Sequence, residues 1–405
     1  MSVAQALLQW RGTAAGGAAP AAAAGALVVV QDTRWSVLQR ALAEAEQARS
    51  NRLEQHYSDE CRAIYGQFLE ATRYFEGKRR QPCGFGQARP GNSCYYAAFV
   101  QSIATFPKLC AWFVMQQDDP RFKDLSALLI NVYKPSSATQ QVFAKAYRYY
   151  NSEAGALYAA NLGGRQDRQI AGAPRDTIET FDNYNSASNV TINYEAAVAG
   201  LGMHTPDEYL PMFFMEQEII RTQDGRIKSS TNKPQLKRMR LKIGMNYEDL
   251  GQENPVQIVA SDQIRRQFDF EEYPSDCETK ARARANIPMQ WPSILAVEVS
   301  ASPANTQKPE TICHLTEDDL NLDLPVYSSD GVAGTQNYRL RNVCISYGAV
   351  HYIAWCLDRC ADDKEEQWRK YNDSNVTAGS ADKLMEDTRE PGHYVRLLMY
   401  ERGDS

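Results

Sequence analysis

The segment Gln81-Pro-Cys-Gly-Phe-Gly-Gln-Ala-Arg-Pro-Gly-Asn-Ser-Cys94 constrains the fold more than any other stretch of this chain. Three Gly and two Pro within it exclude regular structure and make it a loop. The next stretch has the opposite character: Tyr95 to Thr105 carries Ala97, Ala98, Phe99, Val100, Ile103 and Ala104 at helical spacing, with Asn92 or Ser93 able to cap the start and Pro107 marking the end. Cys94 is therefore expected in the first turn of a helix. There the unpaired backbone N–H groups and the helix dipole stabilise a thiolate, and also an oxyanion formed beside it. Cys110, Cys344 and Cys356 sit in apolar surroundings and read as small core hydrophobes.

A cysteine nucleophile needs a base, and the chain offers five histidines: His56, His204, His314, His351 and His393. Around His351, Tyr338 to Tyr347 and Gly348 to Leu357 both read as strands. The polar stretch Asp358 to Glu366 then turns the chain into a shorter strand, Gln367 to Tyr371. If the turn is centred between Ala361 and Asp362, paired residue numbers sum to 723 and Asn372 falls opposite His351. The Asn372 side-chain oxygen can then accept from an imidazole N–H and fix the tautomer. Asp373 points to the other face unless a bulge exchanges the two, which keeps it as the reserve orienter.

Composition narrows the function. With 43% hydrophobic and 23% charged residues the chain is globular, and at 405 residues it can bury a sizeable core. No apolar run approaches the ~20 residues of a membrane-spanning helix. The 44 basic and 50 acidic residues give a formal charge of -6, so no global basic field attracts nucleic acid. Lys237 to Ile243 alternates basic with apolar residues, as a half-buried strand does. The nine cysteines are scattered and odd in number, which fits a reducing compartment, cytoplasmic or nuclear, rather than a disulfide framework. Residues 1–33, rich in Ala and Gly, read as a flexible tail without the basic start of a signal peptide. Residues 34–80 read as a helical extension with one apolar face, and 81–403 as the main domain.

These residues resemble the ubiquitin-specific proteases, papain-like cysteine hydrolases that remove ubiquitin from proteins. Gly91-Asn-Ser-Cys-Tyr-Tyr is similar to the family's cysteine box, and Arg175-Asp-Thr-Ile-Glu-Thr-Phe181 to its Gln-Asp-Ala-x-Glu-Phe box. Trp291-Pro-Ser-Ile-Leu-Ala-Val-Glu-Val is similar to the strand Leu-Pro-x-Val-Leu-x-Ile. His351-Tyr, Trp368-Arg-Lys-Tyr-Asn-Asp373 and His393 to Tyr400 resemble the histidine box and closing strand. The resemblance implies an α+β fold: a helical thumb led by the Cys94 helix faces a mostly antiparallel palm and fingers sheet carrying His351, with the site in the cleft between.

It further implies Cys94 as nucleophile, His351 as base and then acid, and Asn372 as orienter with Asp373 in reserve. Asp176 and Glu179 would hold the Arg-rich tail of ubiquitin or a ubiquitin-like modifier, and no cofactor is needed. Three departures accompany it. Arg89 stands where the family has an oxyanion-donating Asn, leaving Arg89, Asn92 and the Cys94 backbone N–H as the donors to hand. Ala349-Val350 replaces the Gly-Gly before the histidine. The paired Cys-x-x-Cys zinc sites are missing, with Cys277 alone and Cys356 and Cys360 unaccompanied by a second pair, so no structural metal is expected. These departures motivate a second reading, a catalytically silent ubiquitin-binding scaffold of the same fold, and a third, a papain-like protease acting on something other than ubiquitin.

Overall fold

A computed structural model of the chain describes residues 68–88, 91–152, 177–180, 184, 213–222, 227–229, 235–238, 240–244, 271–272, 281–300, 315–328, 331–347, 351–358 and 365–403. The expected tail and most of the helical extension lie outside them. From the extension, residues 68–76 form helix α1, which ends where the Gly77 N–H donates to the Arg73 carbonyl at 2.8 Å. Four helices come next: α2 (Cys94–Ala104), α3 (Pro107–Met115), α4 (Pro120–Tyr133) and α5 (Thr139–Tyr150). Pro107 is the first residue of α3, a position where its missing N–H costs nothing, so the break after Ala104 is a corner between helices.

The rest is largely strand. A five-stranded sheet contains β1 (Phe213–Thr222), β2 (Ile227–Ser229), β3 (Gln235–Arg238), β5 (Glu271–Glu272) and β6 (Ala281–Gln290). An eight-stranded sheet contains β4 (Arg240–Gly244), β7 (Ile294–Ser300), β8 (Asn321–Ser328), β9 (Gly331–Tyr347), β10 (His351–Asp358), β11 (Gln367–Asn372), β12 (Asn375–Gly379) and β13 (His393–Arg402). Helix α6 (Ala381–Arg389) lies between the last two. The strand expected over Lys237 to Ile243 is divided: β3 pairs with β1, whereas β4 runs parallel to β7. β3 ends at Arg238 in one sheet and β4 begins at Arg240 in the other.

The eight-stranded sheet is covered on both faces. Alternate residues Cys344, Tyr352, Ala354, Cys356 and Tyr371 share one core cluster with α2 to α5, while Val343, Ile345, Ile353, Trp355 and Trp368 share another with Leu384 and Met385 of α6. This is why β10 is apolar almost throughout instead of alternating. All eleven residues of α2 are buried.

One charged group is locked inside this packing. The Arg80 guanidinium donates to Asp358 at 3.0 Å, and both side chains are 3% exposed. Tyr371 donates its hydroxyl to the other Asp358 oxygen at 2.6 Å, and the Arg80 guanidinium lies 4.5 Å from the Tyr371 ring centroid. The cluster ties the segment entering the cysteine loop to the end of β10 and to the residue before Asn372. Arg80→Ala leaves Asp358 buried without its cation and should destabilise the fold by about 3–5 kcal/mol in urea titration. A loss below about 1 kcal/mol would contradict this role.

Candidate active site

Cys94 is the first residue of α2. The turn before it is held open by local geometry: Gly91 has φ +81 and Asn92 has φ +52, the left-handed region that Gly and Asn tolerate. Ser93 occupies the cap position, but its hydroxyl accepts from the Ala88 N–H at 2.9 Å and makes no cap bond to the helix. The Tyr147 hydroxyl of α5 donates to the Gly91 carbonyl. Cys94 is 5% exposed.

His351 opens β10, so its ring sits at the rim of the sheet where α2 begins. Its Nε2 lies 2.7 Å from Asn372 Oδ1, and the Cys94 side chain is near enough to shift the imidazole pKa. An amide oxygen at Nε2 requires the proton there, which turns Nδ1 toward the sulfur. The structure thus brings Cys94, His351 and Asn372 together from three separate elements.

The register that achieves this differs from the expected one. Ala354 pairs with Tyr371 and Trp355 with Lys370, so paired numbers sum to 725 rather than 723. Continued by one pair, this register puts Asn372 level with Ile353 and diagonal to His351. A shift of two keeps both side chains on the same face. Asp373 lies in the turn between β11 and β12 with φ +50, and its Oδ1 has no hydrogen-bond partner. Burial pushes its carboxyl above the ordinary value, an effect opposed by the His351 charge.

The His351 imidazole is raised from 6.5 to about 9. The interaction with the Cys94 side chain is the main cause; burial opposes it, while the Asn372 bond and the charges of Cys94 and Asp373 add to it. A cation beside sulfur is what a thiolate nucleophile requires.

Of the other expected site residues, Arg89 and Asp176 lie outside the described residues, as do Ala349, Val350, Cys277 and Cys360. Glu179 is exposed on a helical stretch at 177–180, where the Thr177 hydroxyl donates to the Tyr95 carbonyl at 3.1 Å. That bond docks the stretch on the first turn of α2. Among the described residues no group of three or more His, Cys, Asp or Glu could hold a metal ion.

Two features escaped sequence reasoning. Tyr347, 50% exposed, pairs with His351 across β9 and β10 and with His393 across β9 and β13. Its ring stands edge-on to His393 at 5.0 Å, and His393 is held by the Asp387 carbonyl at 2.7 Å. That partner lies upstream of His393, in α6. The second feature, the fastening of the cysteine loop to the 373–374 turn, depends on a long-range backbone contact that leaves no sequence pattern.

Residues 210–400 match the family model described as ubiquitin carboxyl-terminal hydrolase. No curated protein matches the sequence. Among solved structures the chain is similar to the SAGA Ubp8/Sgf11/Sus1/Sgf73 DUB module bound to ubiquitin aldehyde, with a TM-score of 0.52 and 14% identity over 81% of this chain and 71% of that one. It is also similar to the same module with a cysteine-to-alanine Ubp8 bound to monoubiquitin, with a TM-score of 0.52 and 14% identity over 81% of this chain and 70% of that one. The architecture, helices against a mostly antiparallel sheet, is the α+β papain-like fold. The span that the family model matches includes His351 and Asn372 and begins after Cys94.

The folded-state value of His351 lies above 6.5, so its protonated form stabilises the fold fully below pH 6.5 and that contribution is lost as the pH rises through about 9. The thermal midpoint of the wild type should therefore fall across this window relative to His351→Gln. Parallel curves for the two proteins would contradict the assignment.

Proposed function

We propose that the chain is a cysteine-dependent deubiquitinase that cleaves the amide or isopeptide bond after the C-terminal glycine of ubiquitin or a ubiquitin-like modifier. The observation that carries this reading is the imidazole held between Asn372 and the Cys94 side chain at a helix start. The Cys94 thiolate attacks the glycine carbonyl carbon, and the oxyanion that forms is met by backbone N–H groups at the start of α2, with Asn92 and Arg89 as candidate donors. His351 gives its proton to the leaving amine as the C–N bond breaks, which leaves a thioester on Cys94. Water then attacks that thioester while His351 takes its proton, and as the C–S bond breaks the tail leaves with a free carboxyl group and the thiolate beside protonated His351 is restored. Asn372 holds the ring through both steps.

Asp176 and Glu179 suit the basic tail of the modifier, since a carboxylate pairs with guanidinium groups. Docking of 177–180 on the first turn of α2 supports Glu179 in that role. Cys83, Cys94, Cys110, Cys344 and Cys356 are all free thiols, which supports a reducing compartment, cytoplasm or nucleus. One observation favours the silent-scaffold alternative: at 5% exposure Cys94 must be uncovered before a tail can reach it.

Hydrolysis of ubiquitin carrying a C-terminal amide-linked fluorophore tests the proposal. Cys94→Ala should abolish turnover, and Asn372→Ala should lower kcat roughly tenfold to a hundredfold. Glu179→Lys should raise KM with kcat little changed, as loss of uniform binding does. Binding of ubiquitin without turnover by the wild type would instead establish the scaffold reading, and neither binding nor turnover would remove ubiquitin as the substrate.

A further inference from the structure

The loop leading into Cys94 touches the turn that comes after Asn372. The Phe85 N–H donates to the Asp373 carbonyl at 2.8 Å. Gly84 lies so close to this turn that a Cβ on it would meet the Asp373 oxygen at 2.5 Å and the Ser374 carbonyl carbon and oxygen at 2.6 Å. These are backbone atoms and cannot swing aside. The loop itself is anchored: Gln140 of α5 bonds both the N–H and the carbonyl of Gly86 at 3.0 Å, and Gln101 of α2 donates to the Cys83 carbonyl at 2.8 Å. Phe85 stacks on Phe143 with ring centroids 4.4 Å apart and planes 3° from parallel. The turn it meets is less secure, because Asp373 sits in the left-handed region at φ +50, which a non-glycine residue holds only when its surroundings fix it there.

We propose that Gly84 and Phe85 are positioning residues, a strap by which the loop carrying the nucleophile sets the place of Asn372 and through it the His351 ring. The strap rests on reading Cys94, His351 and Asn372 as one catalytic unit, and it acts without touching the substrate. Gly is required at 84 for close approach of two backbones. At 86 it is not, because a Cβ there meets only the Gln140 side chain, at 3.8 Å. The titratable groups facing His351 are the Cys94 thiol on α2 and the Asp373 carboxyl in the turn, with the Tyr347 phenol at the paired position of β9.

The test is the pH dependence of Cys94 alkylation by iodoacetamide, read by mass spectrometry of the Cys94 peptide in the full chain. Iodoacetamide needs no ubiquitin, so normal alkylation in a protein that fails to process ubiquitin would defeat the functional reading and leave the strap standing. The wild-type profile should show the His351 inflection near pH 9. Gly84→Ala should move that inflection down and slow alkylation at neutral pH roughly tenfold or more, whereas Gly86→Ala should not. In an Asn372→Ala background Gly84→Ala should add nothing, since both act through one contact. An unshifted profile in folded Gly84→Ala, the same shift in Gly86→Ala, or additive losses would overturn the proposal. Should Gly84→Ala fail to fold, amide exchange of the wild type decides: a Phe85 N–H exchanging as slowly as core strand amides supports the strap, and open-loop exchange overturns it.

Discussion

Everything in the site is referred to one helix that has no exposed side. In α2 even Gln101 and Ser102 are buried, and each has a use there: the Ser102 hydroxyl donates to the Ala98 carbonyl at 2.8 Å, while the Gln101 side-chain amide donates to the Cys83 carbonyl at 2.8 Å. A helix buried all round cannot rotate or slide without opening cavities in several walls, and truncating one fully buried phenylalanine such as Phe99 costs about 3–5 kcal/mol. This rigidity fixes the sulfur at one end of the helix against a ring at the rim of the sheet. The proposed chemistry needs the sulfur and the ring placed within a fraction of an ångström, which rigid packing favours.

The sheet contributes a different kind of order. β10 is flanked by β9, which pairs with it from His351 onward, and by β11, which pairs with it from Ala354 onward. The Arg80, Asp358 and Tyr371 cluster then fastens β11 to the segment before the cysteine loop. Two of the connections joining the half bearing Cys94 to the half bearing His351 lie at opposite ends of β10: a buried ion pair at one end, and the Phe85 to Asp373 hydrogen bond at the other. Between them the hairpin has little freedom to open.

Local signals were legible where the physics is local. Gly and Pro made the loop before Cys94 readable, and the apolar run after it made the helix readable, although a helix buried on every side has no apolar stripe to set its rotation. The alternation of side chains put His351 and Asn372 on one face. It could not set the register, because the number of residues in the turn is decided by packing around it, and a slip of two leaves the pattern unchanged. The division of Lys237 to Ile243 between two sheets was equally hidden, since either half alone has the same alternation. Contacts between distant backbones, as at Gly84, leave no residue pattern at all.

The central claim is that one imidazole bridges a sulfur and an amide oxygen. Nuclear magnetic resonance titration of the His351 ring in the intact chain tests it most directly. A midpoint near pH 9 that falls toward 6.5 in Cys94→Ala is the predicted result. A wild-type midpoint already at 6.5, unmoved by removing the sulfur, would contradict the account.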